Sequence, residues 1–213
     1  HIIQTDRNQL FNVIVDLIRN DYGPSSGIVF RNFPLKEAYY DYDVREILPE
    51  AVERYGEEEW KACVLTDEIH GHLGIFSIVG AKMGIKAMEL LDAKRDQLNV
   101  ISFAGSLPPY SCLNDGIQVS TGATLGLGMI RIAESKEMQP AALFSYKGDS
   151  LMIRLKEEYL QQIESDIQSG IVQYGLQDDG YWKLVRKSAV KYWLEWDRDL
   201  IFEYSLYKKM QKQ

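Results

Sequence analysis

The sequence predicts an α+β protein, a mainly antiparallel sheet packed with one long buried helix and continued by a helical C-terminal extension. Three observations carry that prediction. Residues 73–92 are apolar and glycine-studded on most helical faces, as in a helix with no solvent side. Short strand-like runs cluster between 98 and 155. From 156 onward apolar residues recur at helical spacing.

Taken in order, residues 6–20 place Leu10, Phe11, Val13, Ile14, Leu17 and Ile18 at helical spacing behind Asp6 as N-cap. Asp21 to Gly27 is turn chemistry, and Ile28-Val29-Phe30 reads as a short strand. Residues 34–43 are Tyr-rich, open with Pro34 and read as a loop. Helices follow over about 43–54 and 57–69, and the long helix over 73–92. Residues 98–104 read as a strand, Pro108-Pro109 breaks the chain, and 112–121 reads as a short helix. Met129 to Ile132, 141–146 and 150–155 are further strands, the last two joined by a Lys147-Gly148-Asp149 turn. Tyr159, Ile163, Ile167 and Ile171 then repeat every four residues. After a break at 177–180, Trp182, Val185, Ala189, Trp193, Trp196 and Leu200 form a second helical stripe. Tyr181, Tyr192, Phe202, Tyr204 and Tyr207 join this aromatic C-terminal group, whose expected use is core or dimer packing.

At 213 residues the length suits one large domain or one domain with an appendage. Within it we distinguish an N-terminal helical segment (1–60), a core (61–175) and the aromatic extension (176–213). Apolar residues make up 46% and charged residues 26%, enough for an ordinary core. A net charge of −7 argues against nucleic acid as a partner. No apolar run reaches the roughly 18 residues of a membrane helix. Cys63 and Cys112 form no CxxC pair, and two unpaired thiols suit a cytoplasmic protein. The chain starts without Met, which leaves room for an upstream segment such as a cleaved signal peptide.

Two constellations carry chemistry. His70-Gly71-His72 holds two of the three histidines, and His1 is the first residue. Histidine is the commonest metal ligand. On a helix the two rings would point about 200° apart, so joint binding of one metal needs a non-helical backbone, which Gly71 favours. The acidic pair Asp67-Glu68 precedes them, and Glu68 or Asp67 is a candidate base. Cys112, with Asp115 three residues on, opens the second block. At a helix start its thiolate would be stabilised by free backbone N–H groups. Cysteine, aspartate and histidine together suit zinc or a similar metal, and a Cys112–histidine dyad is the thiol alternative. Gly122, Gly126 and Gly128 fit neither dinucleotide- nor nucleotide-binding loops, so close packing explains them better.

Together the two blocks resemble the E-subunit family of formylmethanofuran dehydrogenase. That family's pattern opens with His-Gly-His-x-Cys-Pro-Gly and continues with Cys-Gly-Val-Asp-Ala-Ile-Gln-Val-Leu-Thr-Gly-Cys-Thr-Phe-Gly-Lys-Gly. Here the first block is His70-Gly71-His72-Leu73-Gly74, followed by Gly80-Ala81-Lys82-Met83-Gly84. The second runs from Cys112 through Asp115, Ile117-Gln118-Val119 and Thr121-Gly122-Ala123 to Gly128. The resemblance spans about 65–170. It implies an α+β core that pairs as a homodimer and carries a transition-metal site. By position the site residues are His70, His72, Cys112 and Asp115, and the metal is zinc, nickel or iron. Gly74 and Ala123 stand where the family has cysteines, which removes two soft ligands. The C-terminal zinc ribbon of some relatives is replaced by the aromatic extension. The parent enzyme's redox chemistry belongs to a molybdenum or tungsten cofactor carried by its other polypeptides.

Three functions follow as expectations. The first is a stand-alone metal-binding protein, extending to a metal-dependent enzyme with a small-molecule ligand. The second is an accessory module that uses its aromatic C-terminal helices as an interaction surface. The third is a metal-free thiol enzyme acting through Cys112.

Overall fold

The computed structural model describes residue 30 and residues 32–134 and 137–208. The helix expected over 6–20, the turn over 21–27 and Ile28-Val29 lie outside the described residues. By contact the chain forms two units that divide between Tyr39 and Tyr40. The described part of the first holds Phe30 edge-on to Phe33 and a short 3-10 helix, Glu37–Tyr39.

The second unit begins with α1 (Tyr42–Tyr55) and α2 (Glu57–His70), hinged at Gly56. Val44, Ile47, Leu48, Ala51 and Tyr55 give α1 one buried stripe at intervals of three or four. In α2 the buried face carries Trp60, Cys63 and Thr66. Next comes α3 (Ile75–Leu91). Every residue from Ile75 to Ile85 is buried, because neighbouring elements cover this helix on nearly all sides. After β1 (Asn99–Ser102), a 3-10 turn (Tyr110–Cys112) runs into α4 (Leu113–Thr121). Then follow β2 (Ile130–Ile132), β3 (Ala141–Tyr146), β4 (Asp149–Leu155), α5 (Glu157–Tyr174), α6 (Asp179–Glu195) and β5 (Phe202–Tyr207).

The sheet order is β2-β1-β3-β4-β5. Only β1 and β2 run parallel, as the crossover through α4 requires, and the other pairs are antiparallel. The register aligns Ile130, Val100, Phe144, Leu151 and Leu206 in one row across all five strands. The first four are buried, so this row marks the core face. The β3–β4 turn is a two-residue loop in which Lys147 and Gly148 have φ of 50° and 96°. Two successive positive φ values are the turn form that matches strand twist.

The C-terminal end corrects one expectation. Residues 202–207 form an edge strand on β4, so the extension is not helical throughout. Its helix ends at Glu195, and Trp196 already has extended backbone. The helical stripe read through Leu200 misses this because Phe202, Tyr204 and Leu206 alternate with period two. Tyr181, Tyr192 and Trp193 of α6 pack inward, as does Trp196 just beyond it. Trp193 stacks on Trp60 at 4.5 Å and Trp196 on Tyr192 at 3.8 Å. Trp193 and Trp196 are buried, so the surface expected for an accessory module is not built from them.

Two interactions lock the helices. Gly80 and Gly116 bring the backbones of α3 and α4 together. A Cβ on Gly116 would lie 2.2 Å from the carbonyl oxygen of Ser77, and one on Gly80 would lie 2.1 Å from that of Leu113. Nearby, Lys82 Nζ reaches Glu59 Oε1 at 2.5 Å, and Arg198 Nη1 reaches Glu59 Oε2 at 2.9 Å. The side chains of Lys82 and Glu59 are 1% and 0% exposed. Lys82 Nζ also sits 3.9 Å from the centre of the Tyr55 ring.

Replacing a helical glycine with alanine ordinarily gains about 1 kcal/mol. Gly116→Ala is expected to do the reverse and lose about 2–3 kcal/mol through overpacking. Gly126→Ala, whose added carbon would meet only Thr124 Oγ1 at 3.9 Å, should stay within about 0.5 kcal/mol of the parent. Urea denaturation of both variants checks the contrast.

Candidate functional site

The site forms where α2 ends, α3 begins and α4 passes. Its first element is a helix terminus. His70 is the last residue of α2, and Gly71, at φ 82°, turns the chain out of the helix. That left-handed position folds His72 back beside His70, with ring centroids 4.3 Å apart. The opposed orientation that an uninterrupted helix would impose is therefore avoided.

His70 is held from the α4 side. Its Nδ1 pairs with Asp115 Oδ2 at 2.8 Å, and its side chain is 11% exposed. Its other nitrogen, Nε2, is buried with no hydrogen-bond partner among the described residues. A carboxylate on one imidazole nitrogen fixes the ring and makes the opposite nitrogen a better electron-pair donor. Asp115 can reach His70 because the glycine contacts seat α4 directly on α3.

Of the acidic pair, the structure turns Asp67 inward and leaves Glu68 exposed. Helical spacing explains the choice, since Asp67 follows buried Cys63 by four residues and precedes His70 by three. Asp67 Oδ1 lies 2.6 Å from Ser77 Oγ and accepts from the Gly74 N–H at 3.3 Å. Its Oδ2 is buried and has no hydrogen-bond partner among the described residues. Burial raises the Asp67 carboxyl to about 7, against the lowering effect of the Ser77 and Gly74 hydrogen bonds. Gly74 completes this wall. A Cβ there would meet Ser77 Oγ at 2.8 Å and His70 Nε2 at 3.3 Å.

Cys112 is half-buried at the 3-10 turn into α4. Burial, and then the neighbouring Asp115, push its thiol up to about 11. This reverses the stabilised thiolate expected from its place at a helix start. Cys63 is fully buried and its thiol is also raised, first by burial. Ala123, at the other position where the resembled family has a cysteine, is wholly buried.

The start of α6 closes the outer side, a neighbourhood that sequence spacing did not reveal. Trp182 meets the His72 ring edge-to-face at 5.1 Å and remains 46% exposed. Beside them is an open pocket of about 390 Å³ bordered by His72, Leu73, Asp179, Trp182, Lys183 and Arg186. Arg186 is fixed there by Asp43, with two contacts of 2.7 Å. Burial, then His70, hold the His72 imidazole below its ordinary value.

Set against the expected metal ligands, His70 fits best, since it presents a buried and oriented free nitrogen. His72 stands beside it. Asp115 lies on the far side of the ring, at Nδ1. Among the described residues no three histidine, cysteine, aspartate or glutamate side chains converge as a preformed metal cage.

Residues 69–203 match the family described as FmdE, molybdenum formylmethanofuran dehydrogenase operon. The chain belongs to the FmdE family. The match runs through α6 and into β5, so the aromatic C-terminal elements fall largely within the family region. A stretch of 61 residues is also 38% identical to a protein of Archaeoglobus fulgidus described as a probable S-adenosyl-L-methionine-binding protein. That stretch covers 28% of this chain and 17% of the Archaeoglobus protein, so the chain spans only a small part of that relative.

Two outcomes are expected from these environments. Cys112 should alkylate slowly at pH 7 and accelerate toward its raised value of about 11, because the thiolate is the nucleophile. Rapid labelling at pH 7, followed by mass spectrometry, would contradict this. Asp67 gives a pH effect. Its value rises from 3.8 to about 7 on folding, so between these limits the native state holds more protons than the unfolded chain. The stability this provides is present at the acidic end and is lost as pH rises through about 7. Asp67→Asn should flatten that slope in urea titrations of metal-free protein.

Proposed function

We propose that this FmdE-family chain is a divalent-metal-binding protein whose principal ligand is His70, acting on or sensing a small molecule held in the pocket beside Trp182. The observation that supports this reading is the imidazole clamped by Asp115 at Nδ1, with its Nε2 buried and without a partner among the described residues. A buried nitrogen lone pair with no donor costs free energy, and a bound cation removes that cost. Imidazole favours zinc, nickel, copper and iron among divalent metals. A metal held there would supply Lewis-acid polarisation of a ligand oxygen or a more acidic bound water.

The protein's own groups define the rest. Asp115 orients the ring, Gly71 brings His72 alongside, and Trp182 with Lys183 forms an aromatic and cationic wall for a ligand. With few preformed donors, the site is expected to exchange metal rather than to retain it through purification. The thiol alternative loses support from the raised Cys112.

The test is calorimetric titration of metal-free protein with zinc, nickel and ferrous ions. One-to-one binding is expected, abolished by His70→Ala and weakened about 10–100-fold by Asp115→Asn, the range for removing a partner behind a ligating histidine. If none of the three metals gives heat or raises the melting temperature, the reading fails. S-adenosyl-L-methionine, the ligand in the Archaeoglobus relative's description, is the first small molecule to add to both forms.

A further inference from the structure

We infer that Asp67, through Oδ2, is a second protein ligand of the cation at His70, in the role that the resemblance would give to a thiolate at position 74. This inference rests on the metal-binding reading and goes beyond it, because neither the sequence pattern nor the resemblance assigns Asp67 to a metal.

Four observations converge on it. Asp67 Oδ2 and His70 Nε2 are the buried side-chain atoms left without a hydrogen-bond partner among the described residues. They belong to residues three apart on α2, which places their side chains on one helix face. Both side chains border the same small region at Gly74. Asp67 Oδ1 accepts from the Gly74 N–H, and the missing Cβ of Gly74 would sit 3.3 Å from His70 Nε2. Finally, the carboxylate is aimed by its own anchors. Ser77 and Gly74 engage Oδ1 alone and leave Oδ2 uncommitted.

When Asp67 is ionised, its buried oxygen and the buried imidazole nitrogen are both acceptors and cannot satisfy each other. One cation satisfies both. An acceptor pair of this kind, each member held on its far side by a fixed partner, is the arrangement in which outer groups orient metal ligands. The exchange also changes the chemistry of the site. A thiolate at position 74 would be a soft donor, whereas a carboxylate beside an imidazole is a harder oxygen and nitrogen set. Such a set lowers the preference for soft ions and leaves several coordination positions to water or ligand.

Cobalt(II) titration of the full chain tests this, with calorimetry and visible absorption read together. Asp67→Asn keeps the size of the side chain, and its fold is checked by circular dichroism and melting temperature. The expected result is that Asp67→Asn weakens cobalt binding at least about 100-fold, the upper end of the effect of removing an outer partner, while His70→Ala abolishes it. The wild-type cobalt form should also lack a thiolate-to-metal absorption band. Unchanged affinity in Asp67→Asn, with His70→Ala inactive in binding, would overturn the role of Asp67 and leave the His70 reading standing. A thiolate band that disappears in Cys112→Ser would likewise overturn it, by assigning the second position to Cys112. Absence of cobalt binding by the wild-type chain would overturn both.

Discussion

The crossing of α3 and α4 is a contact between backbones, because Gly80 and Gly116 leave no side chain between them. At 2.1–2.3 Å from a hypothetical Cβ to backbone atoms, no other residue fits either position without moving a helix. That closeness is expensive in local terms, since each glycine inside a helix costs about 1 kcal/mol relative to alanine. It is offset by dense burial, with every residue from Ile75 to Ile85 inside the protein. The functional consequence is distance. With bulkier residues α4 would ride further out, and Asp115 would lose its 2.8 Å contact with His70. The pairing of imidazole with carboxylate is therefore a product of helix packing as much as of the two residues themselves.

A second constraint works from the middle of α3, one turn or less beyond the glycine crossing. Glu59, buried, accepts from both Lys82 and Arg198, and so connects α2, α3 and the segment leading into β5. Two cations on one carboxylate would leave excess positive charge. Arg198 also bonds Glu89, and the Tyr55 ring faces Lys82, which spreads that charge. Removing one member of such a set strands the others, typically at about 3–5 kcal/mol. The network lies away from the histidines and belongs to the framework, which explains a charged residue inside an otherwise apolar helix.

What the sequence made legible follows from locality. The hairpin at Lys147-Gly148, the long helix, and the start of α4 each rest on residues within a few positions of one another. The family blocks around His70 and Cys112 were legible for the same reason. The last strand was not. Its aromatic residues follow directly on a helical stripe, and only pairing with β4 makes 202–207 extended. The division of labour between Asp67 and Glu68 was also hidden, since both are acidic and adjacent, and only the packing of α2 decides which faces inward. Trp182 reaches His72 across more than a hundred residues of chain, a contact that no spacing rule anticipates. The thiolate stabilisation expected of Cys112 is outweighed for an electrostatic reason. The pull of free N–H groups at a helix start is smaller here than the combined effect of burial and a carboxylate three residues away.

The resemblance would place a cysteine at position 74, and the surroundings of the glycine found there are informative. A side chain missing from a buried position ordinarily leaves either a void or a rearranged neighbour. Here the vacated side of Gly74 is bordered by Ser77 and His70, and its N–H holds a carboxylate reaching from the previous helix. Serine at 77 is a necessary part of this arrangement, because it takes one carboxylate oxygen and so leaves the other uncommitted. A glycine at 74 with an apolar residue at 67 would have left the His70 nitrogen alone. The presence of Asp67, Gly74 and Ser77 together makes a polar lining where the resemblance leads one to expect sulfur, and it shifts the chemistry of this site toward oxygen and nitrogen donors.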